Sequence, residues 1–456
     1  WGVDPKSEMY KLPAMYVGEY AEQDANLTLK LWQEMKKQMY HEDVEDIFKL
    51  ETELFPCLVD MRFLGVRVDT EAAYTLKQQL IEEEKECLQK IKTETSVDVQ
   101  IWAARSIEKV FQKLNLPYDL TAKTRSPSFT KNFLQNHPHP LVKQIARARE
   151  INKSHTTFID TILKHQHKGR IHAEINQIRS DSGGTVTGRF SYNNPNLQQI
   201  PARNKELGPR IRSLFIPEEG CQWGCFDYSQ QEPRLVTHYA SLDGLYGVDE
   251  VLNSYNEGEA DFHQIVSDMA DIPRDQAKTI NLGLFYGMGK GKLSSELGLS
   301  PGQAEDLFEK YHSRVPFVKE MIERTMKKAA DVGHVRTLLG RKCRFDLWEP
   351  SRYGVHRPLP RDEAEREHGK QIRRAFTYKA LNKIIQGSAA DMTKKAMADL
   401  HDEGIIPHIQ VHDELDCSFE DEIEKDRIIE IMRNAVKLEV PVKLDAEVGP
   451  SWGKAK

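Results

Sequence analysis

Two carboxylate-bearing segments, far apart in the chain, constrain its fold more than any other feature. The first is Cys225 to Arg234, CFDYSQQEPR, and Leu214, Ile216, Trp223 and Phe226 lead into its central Asp227. Apolar and aromatic residues in this spacing predict a buried strand that delivers Asp227 at its C-terminal end. The second surrounds His412-Asp413-Glu414, with Ile409 and Val411 before it and Leu415, Cys417 and Phe419 after it. Alternation on both sides of a polar break predicts two short antiparallel strands with the acids at their turn. As neighbours in one sheet, the segments would set Asp227 against Asp413. Such a pair repels itself unless divalent cations lie between, and an all-oxygen donor set suits Mg²⁺. Two ions held this way stabilise the attacking and leaving oxygens of phosphoryl transfer.

Between these acids runs RDQAKTINLGLFYG, Arg274 to Gly287. Arg274, Lys278, Leu282 and Tyr286 recur every fourth residue, so on a helix they share one stripe, cationic at the N-terminal end and aromatic at the other. At 1.5 Å per residue the stripe spans about 18 Å. That length sets a triphosphate against Arg274 and Lys278 with a base near Tyr286.

In this order DYSQxExR, R-x3-K-x7-YG and VHDE resemble motifs A, B and C of the family A DNA polymerases, the bacterial DNA polymerase I and related phage replicative enzymes. TGRFSYNNPNLQQIPAR, Thr187 to Arg203, resembles the family's primer-template segment TGRLSSxxPNLQNIPxR. Asp261-Phe262-His263 resembles its DIH, and Gln386-Gly387-Ser388-Ala389-Ala390-Asp391 its QGTAAD. GVRVD at Gly65 to Asp69 and Gly340-Arg341-Lys342 add to the similarity, which covers nearly all of the chain from about Glu51 onward.

The resemblance implies an α+β right-hand polymerase fold: a palm with an antiparallel sheet, helical fingers and a helical thumb. It divides the chain into a C-terminal remnant of a 3′ to 5′ exonuclease-like domain (1–50), thumb and palm entry (51–180), palm with motif A (181–242), fingers with motif B (243–374) and palm with motif C (375–456). Tyr20 and Asp24 resemble the Y-x3-D motif that closes the exonuclease, and too little chain precedes them for its other metal-binding acids, so no proofreading is expected. The implied activity is template-directed addition of deoxynucleotides to a primer 3′ end. Asp227, Asp413 and the Tyr228 carbonyl would hold two Mg²⁺ ions, with Mn²⁺ able to substitute, and Glu414 joins the catalytic set. Arg274 and His263 would neutralise phosphates, and Lys278 would also donate a proton to pyrophosphate. Arg203, Gln230, Glu232, Leu282 and Tyr286 complete the nucleotide site, with Glu232 packed near Tyr286 against a ribose 2′-OH. Arg189, Asn196, Gln198, Asn382, Gln386 and His412 would contact DNA. Two alternatives stay open, a single-subunit RNA polymerase-like enzyme and a DNA-binding remnant whose chemistry has lapsed.

Composition agrees with these expectations. A chain of 456 residues with 39% hydrophobic content can bury large cores in more than one subdomain. Its net charge of -6 excludes a simple cationic coat for nucleic acid, so any DNA surface must come from local clusters. Arg203, Lys205, Arg210 and Arg212 form one, broken only by Glu206, and Arg336, Arg341, Lys342 and Arg344 form another with no acid. Of the six cysteines only Cys221 and Cys225 lie close, without a second pair, so buried thiols are expected rather than zinc. No signal peptide or run of 18 apolar residues is present. With these features the resemblance implies a monomer that works on primer-template DNA and deoxynucleoside triphosphates in the bacterial cytoplasm, as a phage protein or a host one.

Along the chain, Asp69 is a predicted N-cap for a helix bearing Leu76, Leu80, Leu88 and Ile91. Shorter helices are expected near Ser106 to Leu114 and Leu141 to Ile151, and SHTTFID, Ser154 to Asp160, resembles the turn at the thumb's base. Glu305 to Glu323 and Met321 to Ala330 read as helical, as does Gln371 to Lys395, and a last strand is expected near Val442 to Val448. Pro350 to His368 is polar and Pro-containing, and there the family resemblance fades. The chain departs from the family at Leu282, where relatives carry Phe or Tyr, at Gln231 and Pro233 within motif A, and at Tyr378, where bacterial relatives place Arg.

Overall fold

A computed structural model describes residues 8–178, 184–202, 204–258, 261–285, 288–352, 354 and 356–455. At its centre a four-stranded antiparallel sheet runs in the order Ile409–Val411, Glu414–Phe419, Gln222–Tyr228, Leu444–Gly449. The strand period of two assigns its faces. Phe226, Tyr228, Leu415, Cys417 and Phe419 are buried on one face, in a core shared with Met392 and Met397 of the helix Ala380–Asp402 and Ile428 and Met432 of Glu422–Asn434. The Tyr228 hydroxyl donates to the Met432 carbonyl at 2.8 Å. The opposite face carries the acids. The motif A strand starts only at Gln222, because Leu214 and Phe215 meet the segment after Gly65 instead: Asp69 N donates to Leu214 O at 2.9 Å and Phe215 bridges Val68.

The expected thumb helix is Thr70–Thr95, capped by Asp69, whose side chain accepts from Ala72 N at 2.8 Å. Its buried stripe includes Ala73, Leu76, Leu80, Cys87 and Ile91, with Leu88 half-buried, and it packs on the helix Pro140–Lys153. SHTTFID is not a turn. Ser154–Ile159 is π-helical and runs on into the helix Asp160–His165, with helical backbone angles at Lys153 and Asp160. Hydroxyls of Ser154 and Thr156 bond back to the carbonyls of Glu150 and Asn152 at 2.8 and 2.7 Å, so the chain widens its helix without leaving it. Ahead of the thumb, the helix Ala14–Glu42 carries Tyr20 and Asp24 one turn apart and buries none of its side chains.

In the segment 243–374 the expected helix from Glu305 to Glu323 is two helices, Pro301–Arg314 and Pro316–Val332. Pro316 drives Val315 out of the helical region, to φ -124° and ψ 63°. The helix expected from Gln371 begins later, at Ala380, because Ile372–Arg374 pairs as a strand with Leu347–Pro350. Leu359–Pro360 pairs on the other side of Leu347–Pro350, and the helix Arg361–His368 packs on this small sheet. The polar excursion thus has a fold of its own.

Neither cationic cluster is free for a polyanion as a whole. Arg341 pairs with Glu51 and Asp391, and Lys342 and Arg344 both pair with Glu42. Arg336 donates to the Glu42 and Asp43 carbonyls. In the first cluster Arg210 pairs with Glu83 at 2.8 Å and Arg212 stacks 4.1 Å over the Trp452 ring. Arg203 lies outside the described residues.

Candidate active site

The sheet register builds the site. Glu414 stands opposite Asp227 on one side and Asp445 on the other, while Tyr228 N donates to the Asp413 carbonyl at 3.2 Å. Asp227 is therefore flanked by acids from both neighbouring strands. Burial first, and then the charges of Asp413, Glu414, Asp445 and Glu447, push the Asp227 carboxyl well above the usual carboxylate range. Burial also raises Asp413, against the opposing charge of Arg189, and Glu414, against Arg212 and a 3.4 Å hydrogen bond from Trp452 Nε1. Carboxylates gathered so closely are stabilised by a cation.

Asp416, Asp445 and Glu447 were not expected from the sequence. The signal was there: in ELDCSF and LDAEVG an acid recurs at every second position, which in a strand means one face. Cys225, Glu414 and Asp416 bring potential ligand atoms within 4.8 Å of one another. Burial holds the Cys225 thiol far above its ordinary value and therefore protonated, which makes it a poor ligand. The oxygen donors Asp227 and Asp413 and the Tyr228 carbonyl fit a hard divalent cation better. All six cysteines are free, and five of them are buried.

Arg274 and Lys278 lie one turn apart and exposed on the helix Arg274–Phe285. Arg274 is ion-paired to Asp261, its Nε 2.8 Å from Oδ2. Asp261 also caps the helix Phe262–Ala270 by accepting from His263 N and Gln264 N. Burial alone would raise the Asp261 carboxyl, but Arg274 and these two amides outweigh it and hold it below the ordinary range. Leu282 lies on the same helix with its side chain outside the described residues, and Tyr286 lies outside them altogether.

His263 is buried beside Lys278 and Arg274. Burial lowers its imidazole to about 4, with Lys278 and Arg274 adding to the effect and Asp261 opposing it, so at neutral pH the ring is uncharged. Tyr311 Oη donates to Asn281 Oδ1 at 2.6 Å, and Asn281 Nδ2 donates to His263 Nδ1 at 3.0 Å. This chain leaves Nε2 as the protonated ring nitrogen. In this state the ring offers an N–H.

Arg189 is ion-paired to Glu232 at 2.6 Å, beside Asp413. Gln230 takes a left-handed conformation at the start of the helix Gln231–Leu242, and its Oε1 accepts from Phe262 N at 2.8 Å, tying the motif A strand to the helix that carries His263. Gln231, one of the family departures, is buried and donates to Ala389 O at 3.3 Å, which pins this helix to Ala380–Asp402. Asn196 caps a short helical turn, and Gln198 Nε2 donates to Gln410 Oε1 at 3.1 Å. Gln198 and His412 line one cleft with Lys131 and with Lys153 of the helix Pro140–Lys153. Asn382 and half-buried Gln386 share a face of the helix Ala380–Asp402, and the buried Asn382 Oδ1 has no hydrogen-bond partner among the described residues.

The model of DNA polymerase family A matches residues 70–454. The chain belongs to DNA polymerase family A. It is similar over 99% of its length to a DNA-directed DNA polymerase of Pseudomonas phage M6, at 34% identity and covering 73% of that protein. A thermostable DNA polymerase I of Thermus filiformis is 33% identical over 97% of the chain, which spans 52% of that enzyme. In structure the chain resembles the polymerase domain of Pol1 from M. smegmatis in complex with DNA primer-template and dNTP, with a TM-score of 0.76, 27% identity, and coverage of 94% of this chain and 74% of that one. The right-hand fold of family A is thus the fold of this chain.

Proposed function

We infer that the chain is a DNA-directed DNA polymerase that adds deoxynucleotides to a primer 3′ end under the direction of a template. The observation that carries this reading is the delivery of Asp227, Asp413 and Glu414 to one end of the central sheet of a family A fold. The residue roles that follow, and the division into exonuclease remnant (1–50), thumb and palm entry (51–180), palm (181–242 and 375–456) and fingers (243–374), belong to the same proposal.

Asp227, Asp413 and the Tyr228 carbonyl fit two Mg²⁺ ions, which when bound supply the charge that stabilises the attacking and leaving oxygens. Arg274 exchanges Asp261 for a phosphate oxygen, gaining a charge-assisted contact of the same kind. Lys278, exposed one turn on, holds the proton that leaves with pyrophosphate. His263 donates its Nε2–H to a phosphate oxygen. Glu232 closes the space of a ribose 2′-OH, and Arg189, Gln198 and His412 face the primer-template minor groove, where acceptors common to all base pairs let an enzyme check pair shape without reading sequence.

The partners are primer-template DNA and deoxynucleoside triphosphates, bound by a monomer in the bacterial cytoplasm. No helix among the described residues is long and apolar enough to cross a membrane. Primer extension with Mg²⁺, run with deoxynucleotides and with ribonucleotides, tests the reading. Template-dependent growth with deoxynucleotides is expected. Growth with ribonucleotides instead would assign RNA synthesis, and no growth with either would leave a DNA-binding remnant.

A further inference from the structure

Among the described residues, the helix Arg274–Phe285 buries one polar side chain, that of Asn281. Arg274 and Lys278 are exposed on the other side, while Ala277 and Ile280 are buried in an apolar core with Phe262, Val266, Tyr311 and Val318. An apolar side chain of similar size would fill the place of Asn281 without the cost of taking an amide out of water, so the amide needs a reason. Both of its polar atoms are used, and together they join three helices. Tyr311 Oη of Pro301–Arg314 donates to Oδ1, and Nδ2 donates to Nδ1 of His263 on Phe262–Ala270.

The direction of these bonds is set at the tyrosine. Tyr311 is fully buried, and burial pushes its hydroxyl up, so it keeps its proton. That proton needs an acceptor. Were the amide turned over, Nδ2 would donate to the Tyr311 oxygen and Oδ1 would accept from a proton on His263 Nδ1. The Tyr311 hydroxyl would then have no acceptor among the described residues. The order seen satisfies every group, and it makes Nδ1 the acceptor and Nε2 the nitrogen that carries the proton.

Such a lock matters for a ring that is neutral. His263 lies in the field of Asp261, which caps its own helix, and of Arg274 and Lys278 on the next; burial and the two cations outweigh the carboxylate. From Pro301–Arg314, the third helix in contact, Tyr311 reaches the ring through Asn281. A neutral imidazole has one proton to place. On Nε2 it can be donated to an anionic oxygen, whereas on Nδ1 it would leave a lone pair facing that oxygen. Among the described residues His263 bonds through its backbone N–H, to Asp261 Oδ1 at 2.9 Å, and through Nδ1, so Nε2 has no protein partner there.

We propose that Asn281 and Tyr311 are positioning residues of the nucleotide site and hold His263 as an Nε2–H donor for a phosphate oxygen of the incoming triphosphate. The proposal rests on the polymerase reading and adds two residues to it. Asn281 stands one turn beyond Lys278, so the helix that presents the cations also sets the proton of His263.

Two measurements on the whole chain test this. In protein labelled with heavy-nitrogen histidine, long-range proton–nitrogen correlation spectra read which ring nitrogen is protonated, and the His263 signals are those lost in His263→Gln. The proton is expected on Nε2. Tyr311→Phe, which removes the donor that orients the amide, should shift the ring to a mixture of both tautomers. The second measurement is the KM for deoxynucleoside triphosphate in primer extension by Asn281→Asp, relative to the wild type, from about pH 6 to about pH 8.5. A carboxylate beside Nδ1 accepts only, and it raises the affinity of the ring for a second proton. Below that raised value the ring carries both protons and Nε2 donates; above it the one proton sits on Nδ1 and Nε2 has none. The KM ratio should therefore rise about tenfold across the range, as loss of a hydrogen bond to a charged group gives. It should stay flat when Asn281→Asp is made in His263→Gln, which has an amide and no tautomers, whereas a purely structural amide would change KM alike at every pH and in both backgrounds. A proton on Nδ1 in the wild type, a ratio independent of pH, or a rise that persists in His263→Gln overturns the proposal. Should Asn281→Asp not fold, the ring spectra decide, and a proton that stays wholly on Nε2 in Tyr311→Phe overturns the lock. Failure of the polymerase reading looks different, since no primer would then be extended while the ring proton is still read.

Discussion

Replacing Arg341 with alanine should be among the most damaging single changes outside the catalytic acids. Its guanidinium bridges Glu51 and Asp391, with Nε 2.7 Å from Asp391 Oδ1, and Asp391 is fully buried. Lys394, also fully buried, lies 2.7 Å from Glu51 and 2.9 Å from the Gln177 carbonyl, so Glu51 would keep a counter-charge when Arg341 is gone. Among the described residues Asp391 would keep only the Thr337 hydroxyl as a hydrogen-bond partner. Burial already pushes its carboxyl up, against the opposing effects of Arg341 and Thr337, and without the guanidinium it must take a proton or stay charged and unpaired. Breaking one partner out of such a buried set costs about 3–5 kcal/mol, a fall in melting temperature of about 3–5 degrees for a chain of 456 residues. Function should suffer as well. A Cβ built on Gly188 would lie 2.8 Å from Arg341 Nε, so the loop that carries Arg189 rests on this side chain. The expected signature in primer extension is a raised KM for primer-template with kcat less affected. Arg341→Lys should recover only part, because an ammonium keeps the charge and loses the planar two-sided geometry. Thermal melting and steady-state extension of both variants provide the check. An Arg341→Ala protein that melts with the wild type would refute the claim that this network supports the fold.

Asp227→Ala or Asp413→Ala should abolish extension while leaving primer-template affinity largely intact, because duplex binding rests on many dispersed phosphate contacts; parallel loss of both would remove the metal-ligand assignment. Glu232→Ala should admit ribonucleotides, and competition between ribo- and deoxynucleotides at a matched template base measures it, an unchanged ratio ruling out the steric role. Without added cations the folded protein should lose stability as pH rises. The carboxyls of Asp227, Asp413 and Glu414 are raised in the fold, so the stability from their bound protons is complete below the ordinary carboxylate range and is lost on passing upward through the raised values. Mg²⁺ should restore the loss and release protons in buffer-dependent calorimetry, and a metal-free melting curve independent of pH would contradict the crowding of these acids. Leu282→Tyr should raise use of dideoxynucleotides several-fold relative to deoxynucleotides, since a hydroxyl one turn beyond Lys278 can replace the missing 3′-OH interaction at about 1 kcal/mol; competitive incorporation of the two substrates measures it, and an unchanged ratio would place Leu282 away from the sugar.

Legibility followed the strength of local pattern. The hairpin around Asp413 and the partnership of its second strand with the motif A strand could be read because alternation survives on both sides of the acids. The Asp69 cap was equally plain. The helix boundary at Val315 and Pro316 was missed although the proline stands in the sequence, because apolar periodicity on both sides masked the break. The π-helical Ser154–Ile159 was unreadable for a different reason: hydroxyl residues favour turns in isolation, and only packing on the thumb helix keeps them helical. Sequence alone could not reveal that the Arg341 cluster is internally neutralised, since Glu42, Glu51 and Asp391 come from distant segments. Nor could composition show that His263 is uncharged, a state set by burial and by two cations of the next helix.

The charge arrangement at the sheet end makes cation and DNA interdependent. Arg189 opposes Asp413 together with His412, and the same guanidinium is held by Glu232 at 2.6 Å. Arg212, stacked on Trp452, plays the corresponding part for Glu414. A divalent cation held by Asp227 and Asp413, as proposed, would take over the neutralisation that Arg189 provides and weaken the field holding the guanidinium in place. Binding free energies are reciprocal, so whatever the cation does to the freedom of Arg189, a minor groove that engages Arg189 must do to the affinity for the cation. An acid cluster that binds metal weakly alone and more tightly with primer-template present would be the consequence.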